Sequence, residues 1–548
     1  MKESWNPRRF RWLASLVLGA VVASALPSAV PPSAHAASRT AAAQNVDWPN
    51  FGNDLNNTRY SPLTQINAGN VSTLGTAWTY NLGPFQVLDE TFPQVIGGIM
   101  YVTDSTDEVM ALDAATGQEL WKHASQVDFS LSTGIGGYGV STNRGVVVAD
   151  GKVFELTFDN NLEALSEATG EDLWTSSVAD PHGGYYESMA PSYYKGLVFV
   201  GASGSEDGVR GFVAAYDANT GKKVWQFWTV PAPGTGWVPK GRHGGGGVYM
   251  PPTVDTTTGI VYVGTGTPSP VLLGTGRKGA NLYTDSILAF NAMTGKLLWY
   301  YQEVPHDVWN YGAASPVVIF DATVNGKKVH AVGEAGKDGH FYALNAATGK
   351  QLFPPVAYVR VNHPVPTSKG VIECPGTTGG APYSPVSYSP VQHAAYIAGI
   401  DLCFKVVVTA KVTGGETDFA GTRTPITKGS FGTFSAVDVN TGKFLWKLKT
   451  PTPLIGGSAV TASNLVFTGD QAGNVYAFDA HTGKQLWKAN VGLAVGSAPI
   501  MYEVKGKEYI ALAIGGSATA ASQHLGQVGA TIVVFALHGK PIKPIPQP

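Results

Sequence analysis

Few residues in this sequence have the types and spacings that chemistry needs, and each of them narrows what the chain does. Cys374 and Cys403 are its only cysteines. Two thiols cannot furnish a C-x-x-C-H haem attachment or a multi-cysteine zinc site, so electrons handled by this chain must leave on a separate carrier. In an exported protein such a lone pair is expected as a disulfide rather than as two free thiols. The run Gly244 to Gly247 could cradle a phosphate, but no helical pattern and no Lys-Ser/Thr follow it, which makes it a turn. His243, His306 and His340 are too scattered to define a zinc site, and no G-x-S-x-G nucleophile signature occurs.

Composition sets further bounds. The 548 residues carry a formal net charge of −2, and 14% are charged, against about 25% in ordinary globular proteins. No basic excess exists to neutralise phosphates, which excludes nucleic acid as a partner. Aromatic residues at 11% exclude a disordered chain. The 67 glycines and 35 prolines argue against a helix-rich body and for an all-β one.

The elements that must position any site follow from a repeat. One pattern recurs seven times: ALDAATGQELW from Ala111, ALSEATGEDLW from Ala164, AYDANTGKKVW from Ala215 and AFNAMTGKLLW from Ala289. It continues as ALNAATGKQLF from Ala343, AVDVNTGKFLW from Ala436 and AFDAHTGKQLW from Ala477. Alternating residues such as Val475-Tyr476-Ala477-Phe478 read as a strand. The Asp or Asn then opens a turn, Thr-Gly supplies its positive-φ position, and a last strand carries the Trp. One such antiparallel unit cannot bury both faces alone. Radial stacking buries them and leaves only short edges, which is the β-propeller solution. The repeated Trp is expected to wedge between neighbouring blades, with the small Ala making room.

The ends supply one more blade. Trp78, in LGTAW, lacks an upstream turn motif, and TIVVFAL from Thr531 lacks a downstream Trp. Joined, the two segments make a composite blade that closes the ring, so the sequence predicts eight blades. The longest spacings mark insertions at Gln226 to Leu288 and Pro354 to Ser435, which are expected on one face, shaping a binding site.

Arg8, Arg9 and Arg11 precede an apolar stretch from Trp12 to Leu26 and a small-residue site, Ala34-His35-Ala36. This reads as a signal peptide with cleavage after Ala36, leaving one domain over 37–548 in the periplasm or cell exterior. The apolar run falls short of the ~20 residues of a spanning helix, and no other segment is apolar enough, so the mature chain is expected to have no membrane span.

Longer blocks carry a resemblance. They are WPNFGNDLNNTRYSPLTQINAGNVSTLGTAW from Trp48, GASGSEDGVRGFVAAYD from Gly201, NLYTDSILAFNAMTG from Asn281, YQEVPHDVW from Tyr301 and GKDGHFYAL from Gly336. With them the sequence resembles the quinoprotein alcohol dehydrogenases, eight-bladed propellers that hold pyrroloquinoline quinone (PQQ) and a Ca²⁺ or lanthanide ion. The repeat alone would also suit non-catalytic propellers; the block from Trp48 favours the dehydrogenases. The resemblance implies a small hydroxyl substrate, a separate electron acceptor, and a structural disulfide between Cys374 and Cys403.

It also implies a site. Glu90, Arg144, Ser188, Ser203, Gly204, Ser205 and Lys337 match cofactor-contacting positions, and Glu206 a metal-ligating carboxylate. Several positions depart from the family. Thr267 and Asn310 stand where the family has a metal-binding Asn and the catalytic Asp, and Gly312 stands where a lanthanide variant has a further Asp. Tyr249 replaces the Trp beneath the cofactor, Tyr138-Gly139 the cysteine pair above it, and Pro382-Tyr383 an Asn-Trp pair. An amide takes no proton from an alcohol, and a general base is worth about 10²–10⁴ in rate. Asp307, three residues before Asn310, is a candidate substitute base; the alternative is that it belongs to the His306-Asp307 pair that family members also carry for structure. Glu206 remains the only anionic protein ligand, so Ca²⁺ would be held weakly, chiefly by PQQ and water, or not at all. The same departures leave open a degenerate propeller that binds a ligand, polymer or protein without catalysis.

Overall fold

The strands fall where the repeat places them. A computed structural model describes residues 45–83, 90–131, 142–238, 240, 244–313, 315–409, 419–516 and 530–545. The expected signal peptide, its cleavage site after Ala36, Tyr138-Gly139 and His243 lie outside the described residues. All described residues belong to one compact unit, Ala43–Pro548. Among them no helix is long and apolar enough to cross a membrane.

The described residues form eight sheets, six of four strands and two of five, antiparallel except where the short strand Tyr60–Ser61 runs parallel to Ser458–Thr461. The first runs Gln94–Ile96, Ile99–Thr103, Glu108–Asp113 and Glu119–Ala124, each strand pairing with the next. Its turn is built as the motif requires. Asp113 Oδ1 accepts from the Ala115 and Thr116 amides at 3.0 and 2.9 Å, and Gly117 takes φ +75°. The strand Leu74–Asn81 pairs antiparallel with Thr531–Leu537, with Trp78 opposite Val534. The two segments read as halves of one blade are therefore neighbours in one sheet.

The tryptophans join adjacent sheets. Trp121 Nε1–H donates to Glu167 O at 3.1 Å, and Trp446 Nε1–H to Ala480 O at 3.1 Å, each acceptor lying in the following repeat. The room beneath each ring comes from a different residue than expected. A Cβ on Gly170 would stand 2.6 Å from the Trp121 ring, and one on Gly483 2.8 Å from the Trp446 ring. The turn glycine of the next repeat makes the space, while the repeat alanine sits opposite its own Trp, as Ala111 does to Trp121. Ladder pairing fixes that alanine within its sheet, so only the loop of the neighbouring sheet can lie under the ring.

Both insertions carry structure. Pro354 to Ser435 contains most of a long hairpin, Ala394–Val408 paired with Gly421–Asp438. Cys374 and Cys403 are disulfide-bonded, tying the loop before this hairpin to its first strand. In the fifth repeat Phe353 replaces Trp and Pro354 and Pro355 follow it. Prolines cannot donate to a ladder, and the last strand there shrinks to Val356–Ala357.

Candidate active site

In a four-stranded meander, the start of strand one and the turn from strand two to three lie at one end; the other turns lie at the opposite end. Every sequence candidate occupies the first kind of position. Glu90 leads into Gln94–Ile96, Arg144 into Val147–Ala149, Ser188 into Ser192–Tyr194 and Tyr249 into Thr253–Asp255. Asp307 and Asn310 lead into Val318–Val324. Ser203 to Glu206 follow Leu197–Gly201, Thr267 follows Ile260–Gly264, and Lys337 follows Lys327–Ala335. The Thr-Gly turns are left at the other end.

Arg144 organises one half of this region. Its Nη2 donates to Glu90 Oε2 at 2.6 Å and its Nη1 to Ser188 Oγ at 2.8 Å; both partners are buried. Ser188 Oγ lies 2.9 Å from Ser203 Oγ, and Ser205 Oγ accepts from the Gly247 amide at 2.7 Å. The guanidinium sits 5.0 Å from the Tyr383 ring centre and 5.9 Å from that of Tyr249. Its buried Nε–H has no hydrogen-bond partner among the described residues. Gly204 holds φ +97°, and a Cβ there would meet Gly184 O at 2.9 Å, so this backbone approach requires glycine.

Thr267, Asp307 and Asn310 form the other half. Thr267 Oγ1 donates to Asp307 Oδ2 at 2.6 Å, and the amides of Trp309 and Tyr311 donate to the same carboxylate at 2.7 and 2.8 Å. Asn310 sits at φ +75° and its Nδ2 donates to Thr377 O at 3.2 Å. Asn310 Oδ1 and Thr377 Oγ1 are buried without a hydrogen-bond partner among the described residues. Lys337 is 6% exposed. Burial pulls its pKa below the usual lysine value, while Glu206 and Asp307 act through space to raise it. Burial pushes the Tyr249 phenol up, with Glu206 adding to the shift and Arg144 opposing it. A Cβ on Gly312 would stand 2.8 Å from Gly266 Cα and from Thr267 N, so a carboxylate there would require the backbone to move.

Among the buried charged residues that sequence reasoning passed over, two bear directly on Asp307. Arg277 donates to Asp307 O at 2.6 Å, Asn281 Oδ1 at 2.6 Å and Pro270 O at 3.1 Å, pinning the loop that carries Asp307. Asp285 is buried beside Asp307. Burial first, then the Asp307 charge, hold Asp285 well above the usual carboxylate range. The available signal was a charged residue inside the insertion Gln226 to Leu288, where charges are otherwise few.

The sheets of this all-β protein thus gather a buried arginine, hydroxyls and a buried lysine at their loop ends. The family model described as "PQQ: Glucose/ethanol/alcohol dehydrogenase, beta-propeller domain" matches residues 48–369 and 412–510. A quinohemoprotein alcohol dehydrogenase of Comamonas testosteroni is 33% identical over 597 residues, covering 97% of this chain and 83% of its own. The solved structure of quinohemoprotein alcohol dehydrogenase ADHIIG from Pseudomonas putida HK5 superposes with a TM-score of 0.84 at 29% identity, covering 92% of this chain and 82% of its own. A europium-containing methanol dehydrogenase gives 0.82 at 28% identity, covering 90% and 98%. The chain belongs to the PQQ-dependent quinoprotein alcohol dehydrogenase family, and its fold is a β-propeller.

The residues present fit the family's cofactor. PQQ is flat and anionic, and the unpartnered buried Nε–H of Arg144 is a charged donor in need of an acceptor. Tyr249 and Tyr383 provide flat surfaces beside it. For a metal ion the fit is thinner: Asn310 Oδ1 is a buried oxygen without a donor, Thr267 keeps lone pairs free, and Glu206 brings the charge.

Proposed function

We propose that this protein binds PQQ among Glu90, Arg144, Ser188, Ser203, Gly204, Ser205 and Lys337, with Tyr249 against its face. In this reading it oxidises an alcohol or related hydroxyl compound and passes the electrons to a separate acceptor. The observation that carries the proposal is Arg144, a buried guanidinium braced by Glu90 and Ser188 with one charged donor left over. When bound, PQQ supplies the hydride acceptor, and the protein supplies orientation and electrostatics. Lys337 is placed to stabilise negative charge on the quinone oxygens. The substrate hydroxyl gives its proton to Asp307 by way of the Thr267 hydroxyl, 2.6 Å from that carboxylate, as the carbinol carbon becomes a carbonyl carbon. Glu206, Thr267 and Asn310 would hold a weakly bound Ca²⁺.

The eight sheets serve as eight blades of one ring, closed where Leu74–Asn81 joins Thr531–Leu537. The residues from 37 to 548 form the mature, exported domain, with removal of 1–36 as signal peptide.

Purified protein mixed with PQQ, with and without Ca²⁺, should bind the cofactor and reduce a dye with an alcohol; neither binding nor turnover would sink the enzyme reading. Asp307→Asn should abolish that turnover and leave PQQ affinity within a few-fold. A second reading, a ligand-binding propeller without catalysis, draws on Asn310 and on the three donors already engaging Asp307. It predicts an inert native protein that gains dye reduction with PQQ and Ca²⁺ on Asn310→Asp.

A further inference from the structure

The seam between the first two sheets holds a constellation that the repeat does not explain. His123 Nε2 lies 3.6 Å from Glu163 Oε2 and 3.5 Å from Asp172 Oδ1, and the three atoms lie within 4.8 Å of one another. His123 comes from the last strand of the first sheet, Glu119–Ala124. Glu163 and Asp172 come from Asn161–Ser166 and Asp172–Ser177 of the second. Docking of Trp121 onto the second sheet delivers the histidine, which stands two residues further along the same strand.

At the position of His123 the other repeats that end in Trp carry Ser176, Phe227, Tyr301, Leu448 and Ala489. At the position of Glu163 they carry Met110, Ala214, Leu288, Tyr342, Ser435 and Tyr476. A histidine and a carboxylate have thus entered at two structurally facing places of a single seam.

The distances suit a metal better than a proton. N–H···O bonds run about 2.7–3.2 Å, so both separations are long for direct hydrogen bonds. Zinc bonds of about 2.0–2.2 Å at tetrahedral angles set ligand atoms roughly 3.3–3.6 Å apart. Ser125 Oγ donates to Glu163 Oε2 at 2.8 Å, steadying the second ligand. The side chains of His123 and Glu163 are 13% and 11% exposed and that of Asp172 65%, so an ion could enter from solvent and keep water as its fourth ligand.

We propose that His123, Glu163 and Asp172 form a binding site for a divalent transition-metal ion of the Zn²⁺ class, separate from the cofactor site, that cross-links the first two sheets. The test is calorimetric titration of the purified full chain with Zn²⁺ near pH 7.5, beside His123→Ala and Asp172→Asn; the exposed Asp172 avoids the folding risk of altering buried Glu163. The wild type should bind one Zn²⁺ more than H123A, D172N should weaken that event at least tenfold, and Zn²⁺ should raise the thermal midpoint of the wild type but not of H123A. Co²⁺ should give a tetrahedral visible spectrum that H123A lacks. Equal Zn²⁺ stoichiometry in wild type and H123A, or no binding to either, would overturn the site and leave an ion pair in its place.

Discussion

Arg144 and Glu90 show how much one buried pair constrains. Removing the cation alone takes the opposite charge away from a fully buried carboxylate, which costs about 3–5 kcal/mol. Arg144→Ala should therefore lower unfolding stability by about that amount and abolish PQQ binding. Glu90→Gln with Arg144→Met removes both charges and should recover most of the stability without recovering PQQ binding. Recovery of both, read by denaturant titration and cofactor fluorescence, would show that the arginine only props the fold. Arg144 and Glu90 were legible only through a resemblance, since 54 residues separate them and neither has a motif of its own. Arg277 lies outside the resembling blocks and Asp285 lies within the one from Asn281 with no role attached to it; both were missed, because burial rather than residue type makes them notable.

At the scale of the element, the interlock of ring and turn glycine sets the spacing of neighbouring sheets. Trp446 is buried, and Trp446→Ala should cost about 3–5 kcal/mol. Gly483→Ala drives a Cβ to 2.8 Å from that ring at φ +72°, whereas Gly259 holds φ +70° with nothing within 4 Å of an added Cβ. Gly259→Ala should cost only the backbone term, about 1–2 kcal/mol. Gly483→Ala should cost that plus about 1–3 kcal/mol of overpacking. Equal losses for the two, measured by chemical denaturation, would refute the steric account. The strands and turns themselves were readable because the motif specifies them locally. That the glycine rather than the alanine supports the ring was not, because the contact joins different repeats.

Across the whole molecule, the sheet shared by the two ends of the described chain carries a group that weakens the fold as pH rises. Glu508 is buried, its Oε2 accepts from the Ile66 amide at 2.9 Å, and burial pushes its pKa up to about 7. A carboxyl raised on folding favours the native state while protonated. That contribution is complete below the unfolded value near 4.5 and is lost as pH rises through about 7. Between pH 5 and pH 8 the wild type should therefore lose more thermal stability than Glu508→Gln; an identical pH profile would contradict this. Deleting the chain from Thr531 onward should expose the edge of Leu74–Asn81 and broaden the unfolding transition. An unchanged, cooperative transition would show that this pairing does not hold the ends together.

The sequence by itself determined the all-β character, the repeated strand–turn–strand unit, the pairing partners of the two ends and the set of loops from which a site could be drawn. The first three follow from local patterning, by alternation, turn chemistry and a recurring motif; the loops of the site were marked by the family resemblance. Only the tertiary structure decided which of those loop residues meet, that Asp307 spends its carboxylate on Thr267 and two amides, and that His123 faces Glu163 and Asp172 across a seam. Such contacts join residues far apart in the chain, and a propeller brings them together through the docking of one sheet on the next, a geometry that no local pattern encodes.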